Sequence, residues 1–144
     1  MPKPTIEIFK PKKSKAQKRP LFTVTVSAGF PSPAEDYVEA SLDLNEYLVK
    51  KPLATFFVKV KGNSMNDANI KDGDILIVDR SKDAKSGNII LGVVNGDFTV
   101  KRYRKEKDAI YLMPENPSYK PLKINPDMDF KVWGVVTYII HKAL

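Results

Sequence analysis

The dipeptide Asn95-Gly96 constrains this chain more than any other feature. It lies between Ile89-Ile90-Leu91-Gly92-Val93-Val94 and Asp97-Phe98-Thr99-Val100-Lys101-Arg102-Tyr103. A two-residue type I′ turn needs positive φ at both central positions, which Asn and Gly tolerate, and its twist matches that of two antiparallel strands. A hairpin is expected here, and the rest of the chain must supply a sheet to receive it. Thr55-Phe56-Phe57-Val58-Lys59-Val60-Lys61 alternates with Phe56, Val58 and Val60 on one face, and Gly62-Asn63 ends the run. Asp72-Gly73-Asp74 turns into Ile75-Leu76-Ile77-Val78. Ile110-Tyr111-Leu112-Met113 and the long apolar run at 132–140 supply further strands, separated by the turn-rich Pro114-Glu115-Asn116-Pro117. An extended segment is also expected at 21–27, where Phe22, Val24 and Val26 share a face before Gly29, Pro31 and Pro33 break it. One short helix is expected where Leu44, Tyr47 and Leu48 follow a Ser41 or Asp43 cap, with Pro52 forbidding extension. Short strands joined by short turns predict a mostly β fold: a coiled antiparallel sheet or small barrel with one short helix and an extended N-terminal arm.

The 144 residues suffice for one core of ordinary size, so one domain plus a tail is expected. With no cysteine and His141 as the sole histidine, neither a disulfide framework nor a Cys/His metal cluster can be built. No cofactor is expected, and a reducing cytoplasm suits the composition. No apolar run approaches the ~20 residues that span a bilayer. The start, MPKPTIEIFKPKK, lacks the apolar stretch of a signal peptide, so a soluble chain without membrane contact is expected.

The net charge of +7 sits at one end. Residues 1–19 hold Lys3, Lys10, Lys12, Lys13, Lys15, Lys18 and Arg19 against Glu7 alone, seven minus one, a net of +6. The other 125 residues hold 17 basic and 16 acidic side chains, a net of +1. Pro2, Pro4, Pro11 and Pro20 exclude a helix-turn-helix from this arm, because proline removes a helix hydrogen bond and clashes with the preceding turn. A solvated tail is expected, one able to touch nucleic acid without reading its sequence.

Two residues of the β framework stand out chemically. Ser64 follows a strand end in Gly62-Asn63-Ser64-Met65, where a hydroxyl can be presented while neighbouring N–H groups, those of Ser64 and Met65, stay free to hold an oxyanion. A hydroxyl needs a base, and lysine is a known substitute for histidine. Lys101 interrupts an apolar strand; desolvated there, it would lose its charge more readily and become that base. Taken singly, each residue admits a plainer reading. Ser64-Met65-Asn66-Asp67 fits a helix cap, and Lys101-Arg102 fits a solvated hairpin arm that blocks strand pairing.

Four blocks in order carry a resemblance: Gly29-Phe30-Pro31-Ser32-Pro33-Ala34-Glu35-Asp36-Tyr37-Val38-Glu39, Gly62-Asn63-Ser64-Met65, Asp72-Gly73-Asp74-Ile75-Leu76-Ile77-Val78-Asp79 and Gly96-Asp97-Phe98-Thr99-Val100-Lys101. Together they resemble the UmuD proteins of the LexA-like family of self-cleaving serine peptidases. The resemblance runs from about Ser27 onward and implies Ser64 as nucleophile, Lys101 as general base and scission between Ala28 and Gly29. It divides the chain into a basic arm and cleavable segment, 1–28, and a peptidase domain, 29–144. It further implies a homodimer, stimulation of cleavage by the RecA filament on single-stranded DNA, and a cleaved form that joins an error-prone Y-family (UmuC-like) polymerase in translesion synthesis. Ala28 stands where UmuD itself usually carries cysteine and matches the Ala-Gly of the LexA repressors; both residues are small. A type I signal peptidase also pairs Ser-Met with a lysine, but acts at a membrane. A repressor would need a DNA-binding domain that 28 proline-rich residues cannot form. A polymerase-binding module that never cleaves is the reading from another class.

Scission after Ala28 would carry off the +6 segment and leave a body of +1. Non-specific binding to single-stranded DNA rests on counterion release and weakens steeply with salt. The Ser64→Ala chain is expected to bind such DNA with a steep salt dependence that the cleaved body lacks, read by fluorescence anisotropy at low and moderate salt. Equal affinity and equal salt slope would show that the arm is no electrostatic tether.

Overall fold

The computed structural model describes residues 6–12, 14–22 and 38–143. They fall into two compact units, Met1–Pro11 with Lys51–Leu144, and Lys12–Lys50.

The larger unit is one eight-stranded antiparallel sheet that stays open, so of the two expected forms the sheet and not the closed barrel is the one adopted. Its strands are β1 (Ile6–Phe9), β4 (Thr55–Val60), β5 (Ile75–Asp79), β6 (Ile89–Val94), β7 (Asp97–Lys105), β8 (Ile110–Met113), β9 (Leu122–Ile124) and β10 (Phe130–Ile140). They lie in the order β1-β4-β5-β10-β6-β7-β8-β9. The expected hairpin joins β6 to β7, with φ of 48° at Asn95 and 86° at Gly96, and pairs Val94 with Asp97 through Ile89 with Arg102.

β10 is last in chain order yet central in the sheet, paired to β5 on one side and β6 on the other. That position explains much of its two-faced apolar composition. Val135 is buried, while Tyr138 and Ile140 remain exposed. Its register shifts once against β6, between Val132 and Gly134, and once against β5, between Val136 and Tyr138. Such shifts bend a strand and sharpen its twist, which coils the sheet enough to build a core on each face. One core gathers Val58 and Val60 of β4, Leu76 and Val78 of β5, Leu91 of β6 and Val100 of β7 with Met65 and Ile70 from the loop after β4. The other holds Ile90, Tyr103, Leu112 and Val135. Ile90 and Leu91 are neighbours on one strand yet lie in different cores, both with no exposed surface, so β6 is covered on both faces.

The smaller unit pairs β2 (Arg19–Phe22) with β3 (Val38–Leu42) and continues into α1 (Leu44–Leu48). Asp43 is the helix cap: its Oδ1 accepts the N–H groups of Asn45 at 3.0 Å and Glu46 at 3.3 Å, and its Oδ2 accepts that of Gln17 at 2.9 Å. The Gln17 bond, with smaller help from the helix N–H groups, holds this carboxyl below its ordinary pKa. Val24, Val26 and the Ala28-Gly29 bond lie outside the described residues.

At Gly134 the backbone of β10 runs close to β5. A Cβ added there would collide with Val78 Cγ1 and lie 3.4 Å from Arg80 Cγ and Asp79 O. Gly134→Ala is expected to destabilise the fold by about 1–3 kcal/mol through overpacking, lowering the urea midpoint at unchanged slope; an unchanged midpoint would mean that the two strands separate at no cost.

Candidate active site

β4 ends at Val60, and Gly62 turns the chain with φ of 112°, a value that side-chain-bearing residues rarely adopt. Its N–H donates to Asp72 Oδ1 at 2.8 Å. The Asp72-Gly73-Asp74 turn closes on β4 through Val60 N–H to Asp74 O at 3.0 Å and Gly73 N–H to Val60 O at 2.7 Å. Asp74 is buried, accepting the Lys71 N–H on Oδ2 at 2.7 Å and meeting His141 Nδ1 with Oδ1 at 2.7 Å. His141 is thus engaged in holding this turn and is not at the serine.

The loop then presents Ser64, and the buried side chains of Met65 and Ile70 root it in the core. Ser64 caps no helix: the short 3-10 turn Asn66–Ala68 has Met65 at its N-cap position and no side-chain cap bond. The backbone is held instead by the 115–119 segment. Glu115 N–H donates to Ser64 O at 2.9 Å, Asp67 N–H to Glu115 O at 2.7 Å, Asn116 Nδ2 to Asn63 O at 2.7 Å, and Tyr119 OH to Asn63 Oδ1 at 2.7 Å. The Ser64 and Met65 N–H groups donate to no acceptor among the described residues, as an oxyanion site requires.

β7 brings the second partner. In antiparallel pairing Lys101 stands opposite the fully buried Ile90, and β8 pairs with β7 only from Arg102 onward, which leaves the edge at 97–101 open to the serine loop. Lys101 Nζ lies 3.0 Å from Ser64 Oγ, 3.0 Å from Thr99 Oγ1 and 3.1 Å from Val100 O. Burial pushes the Lys101 amine below the ordinary lysine range. An ammonium has three N–H donors, and three acceptors surround it. When it loses a proton it keeps two donors for Thr99 and Val100, and its lone pair faces Ser64 Oγ. Thr99 and Val100 O thus fix where the lone pair points, and the Ser64 proton has an acceptor at hydrogen-bond distance.

Beside Ser64 is a hollow of about 10 Å³, lined by Val60, Lys61, Gly62, Met65, Ile70 and Val100. That is room for one water-sized group. Arg102, next to Lys101, bonds Glu115 Oε1 through Nε at 2.5 Å and Gly87 O at 2.6 Å. Sequence reading named Ser64, Lys101 and the Met65 N–H, but not Thr99, Arg102, Glu115, Asn116 or Tyr119. The Pro114-Glu115-Asn116-Pro117 stretch gave a signal only as a turn. No group of three or more His, Asp or Glu side chains able to hold a metal occurs among the described residues. No helix among them is long and apolar enough to cross a membrane.

Residues 20–137 match the peptidase S24-like family. The chain is 46% identical over 124 residues to protein SamA of Salmonella typhimurium strain LT2, covering 86% of each chain. It is 43% identical over 126 residues to protein MucA of Escherichia coli, covering 87% of this chain and 86% of the relative. It is 42% identical over 126 residues to protein ImpA of Shigella flexneri, covering 87% and 85%. The resemblance read from the four sequence blocks is borne out by these matches.

Burial of the amine has a direct solution signature. In carbon-detected titration of labelled lysine side chains, Lys101 Cε is expected to titrate below the exposed lysines. The sign for stability follows: burial of the charged amine is a full penalty below the lowered pKa and fades as pH rises from there to the ordinary lysine value. A Lys101 midpoint among those of the exposed lysines would remove the basis for a neutral amine.

Proposed function

The chain belongs to the peptidase S24-like family of serine peptidases, and on that footing we propose that it cuts its own Ala28-Gly29 bond with Ser64 as nucleophile and Lys101 as general base. The observation that carries this reading is the 3.0 Å contact between Lys101 Nζ and Ser64 Oγ, made by an amine that burial biases toward neutrality. Neutral Nζ takes the hydroxyl proton as Oγ attacks the Ala28 carbonyl carbon, and the oxyanion settles on the Ser64 and Met65 N–H groups. Collapse breaks the C–N bond, and the Lys101 ammonium returns its proton to the Gly29 amine. Lys101 then deprotonates a water that hydrolyses the Ala28 ester and restores Ser64. The hollow beside Ser64 suits a methyl side chain, as Ala28 supplies. The open edge of β7 at 97–101 suits an extended segment with its backbone paired. Covalent attachment of the substrate raises its effective concentration, so a modestly activated serine suffices.

In this reading the intact chain rests in a non-productive arrangement until the RecA filament on single-stranded DNA favours the competent one. The cleaved body is the accessory subunit of an error-prone Y-family polymerase in the SOS response to DNA damage. A homodimer is part of the proposal, with the exposed Ile140 of β10 a contact for a second copy.

Purified protein held at mildly alkaline pH is expected to yield fragments with the masses of 1–28 and 29–144. Ser64→Ala and Lys101→Ala should each abolish the cut while keeping the fold. The rate should rise with pH through the lowered pKa of Lys101 and then level off, because the neutral amine is the active form. A cut at another bond, a variant that cleaves at the normal rate, or a rate that falls toward alkaline pH would each refute the mechanism.

A further inference from the structure

The arm contains a strand. Between Pro4 and Pro11, Ile6–Phe9 forms β1 and pairs antiparallel along the outer edge of β4, with Ile6 opposite Val60, Glu7 opposite Lys59, Ile8 opposite Val58 and Phe9 opposite Phe57. Ile8 packs on the core shared by Val58, Val60 and Leu76. The Lys10 ammonium sits 4.8 Å from the centre of the Phe56 ring and 3.5 Å from Leu53 O. Prolines bound the strand because they cannot donate to the ladder.

We propose that β4 is a docking edge for an extended segment of a partner protein, capped by β1 in the intact chain and vacated by scission. The inference rests on the self-cleavage proposed above, since β1 belongs to residues 1–28. While the chain is continuous, β1 meets β4 as a tethered element at high effective concentration; once cut, the 1–28 piece, which carries β1 and β2, must bind from free solution. A piece held by two four-residue strands leaves at micromolar concentration. It exposes backbone N–H and C=O groups of β4, together with the apolar site filled by Ile8. A bare strand edge is a template for another chain, and proteins that keep one cover it. Here the cover is removed by the same event that switches the protein.

β1 also defines the chemistry of the partner. The incoming strand is antiparallel to β4 and carries an acidic residue opposite Lys59, an aliphatic residue next to it over the Val58 site, and a basic residue two positions further on over the Phe56 ring. Main-chain pairing supplies affinity and these three positions supply selectivity. This edge is separate from the open stretch of β7 beside Lys101, so occupying it leaves the catalytic pair untouched.

The probe is a fluorescent peptide of residues 4–11, Pro-Thr-Ile-Glu-Ile-Phe-Lys-Pro, followed by anisotropy against three full-length proteins: wild type after complete self-cleavage, Ser64→Ala, and Ser64→Ala with Ile8→Asp. The first and third are expected to bind at least tenfold more tightly than the second, and a peptide carrying Ile8→Asp should bind none of them. Ile8→Asp opens the edge without scission, so its result decides the docking edge even if the wild-type chain never cuts itself. Ile8→Thr is the milder variant should Ile8→Asp fail to fold, and should give the same ordering with a smaller difference. Equal binding by all three proteins, no binding by the opened variant, or its self-association without peptide uptake in light scattering would each overturn the proposal.

Discussion

The site rests on one half-buried amine. A lysine partly withdrawn from water is costly in its charged form, and the structure around Lys101 supplies three acceptors that make it tolerable. Ile90 and the doubly covered β6 remove water from one side. The serine loop, rooted by Met65 and Ile70, covers the other. Thr99 and the Val100 carbonyl satisfy two donors whatever the protonation state, so the third site on nitrogen is the one that changes, and it faces Ser64. The lowered pKa of Lys101 beside Ser64 is therefore a property of the sheet as much as of two residues. Loosening the core beneath the loop would let water in and return the amine to an ordinary lysine.

Much of this was legible before any coordinates. Asn95-Gly96 fixed a hairpin because few residues take positive φ twice in succession, and that hairpin placed Lys101 opposite a buried strand. Alternation marked β4, and Gly62 marked the turn that offers Ser64. The helix at 44–48 followed from Asp43 and Pro52. These features are local: each depends on residues within a few positions of one another.

What the sequence did not reveal is non-local or small. Glu115 holds Ser64 through its backbone N–H, a contact that any residue but proline could make and that leaves no trace in composition. Thr99 looked like one more β-branched strand residue until Lys101 curled back onto it. β9, three residues long with two of them exposed, has too little alternation to register. β1 was hidden among lysines and prolines, since the arm's average composition is that of a tail while four of its residues match the edge of β4. Sheet order was also out of reach. Periodicity says which residues face inward but not that the last strand inserts between β5 and β6.

That insertion has a consequence for timing. Without β10, the ladder falls into two separate halves, β1-β4-β5 and β6-β7-β8-β9. Ser64 follows a strand of the first half, and Lys101 belongs to the second. A ribosome releases the chain in order, so both halves emerge before the strand that stitches them together, and pairing so distant in sequence is slow to form. Until synthesis has passed Ile140, no backbone ladder joins the strand before Ser64 to the strand of Lys101, and only core and loop contacts link the two halves. If the chain cuts itself as proposed, that order of assembly delays the cut until the strand that completes the sheet has been made.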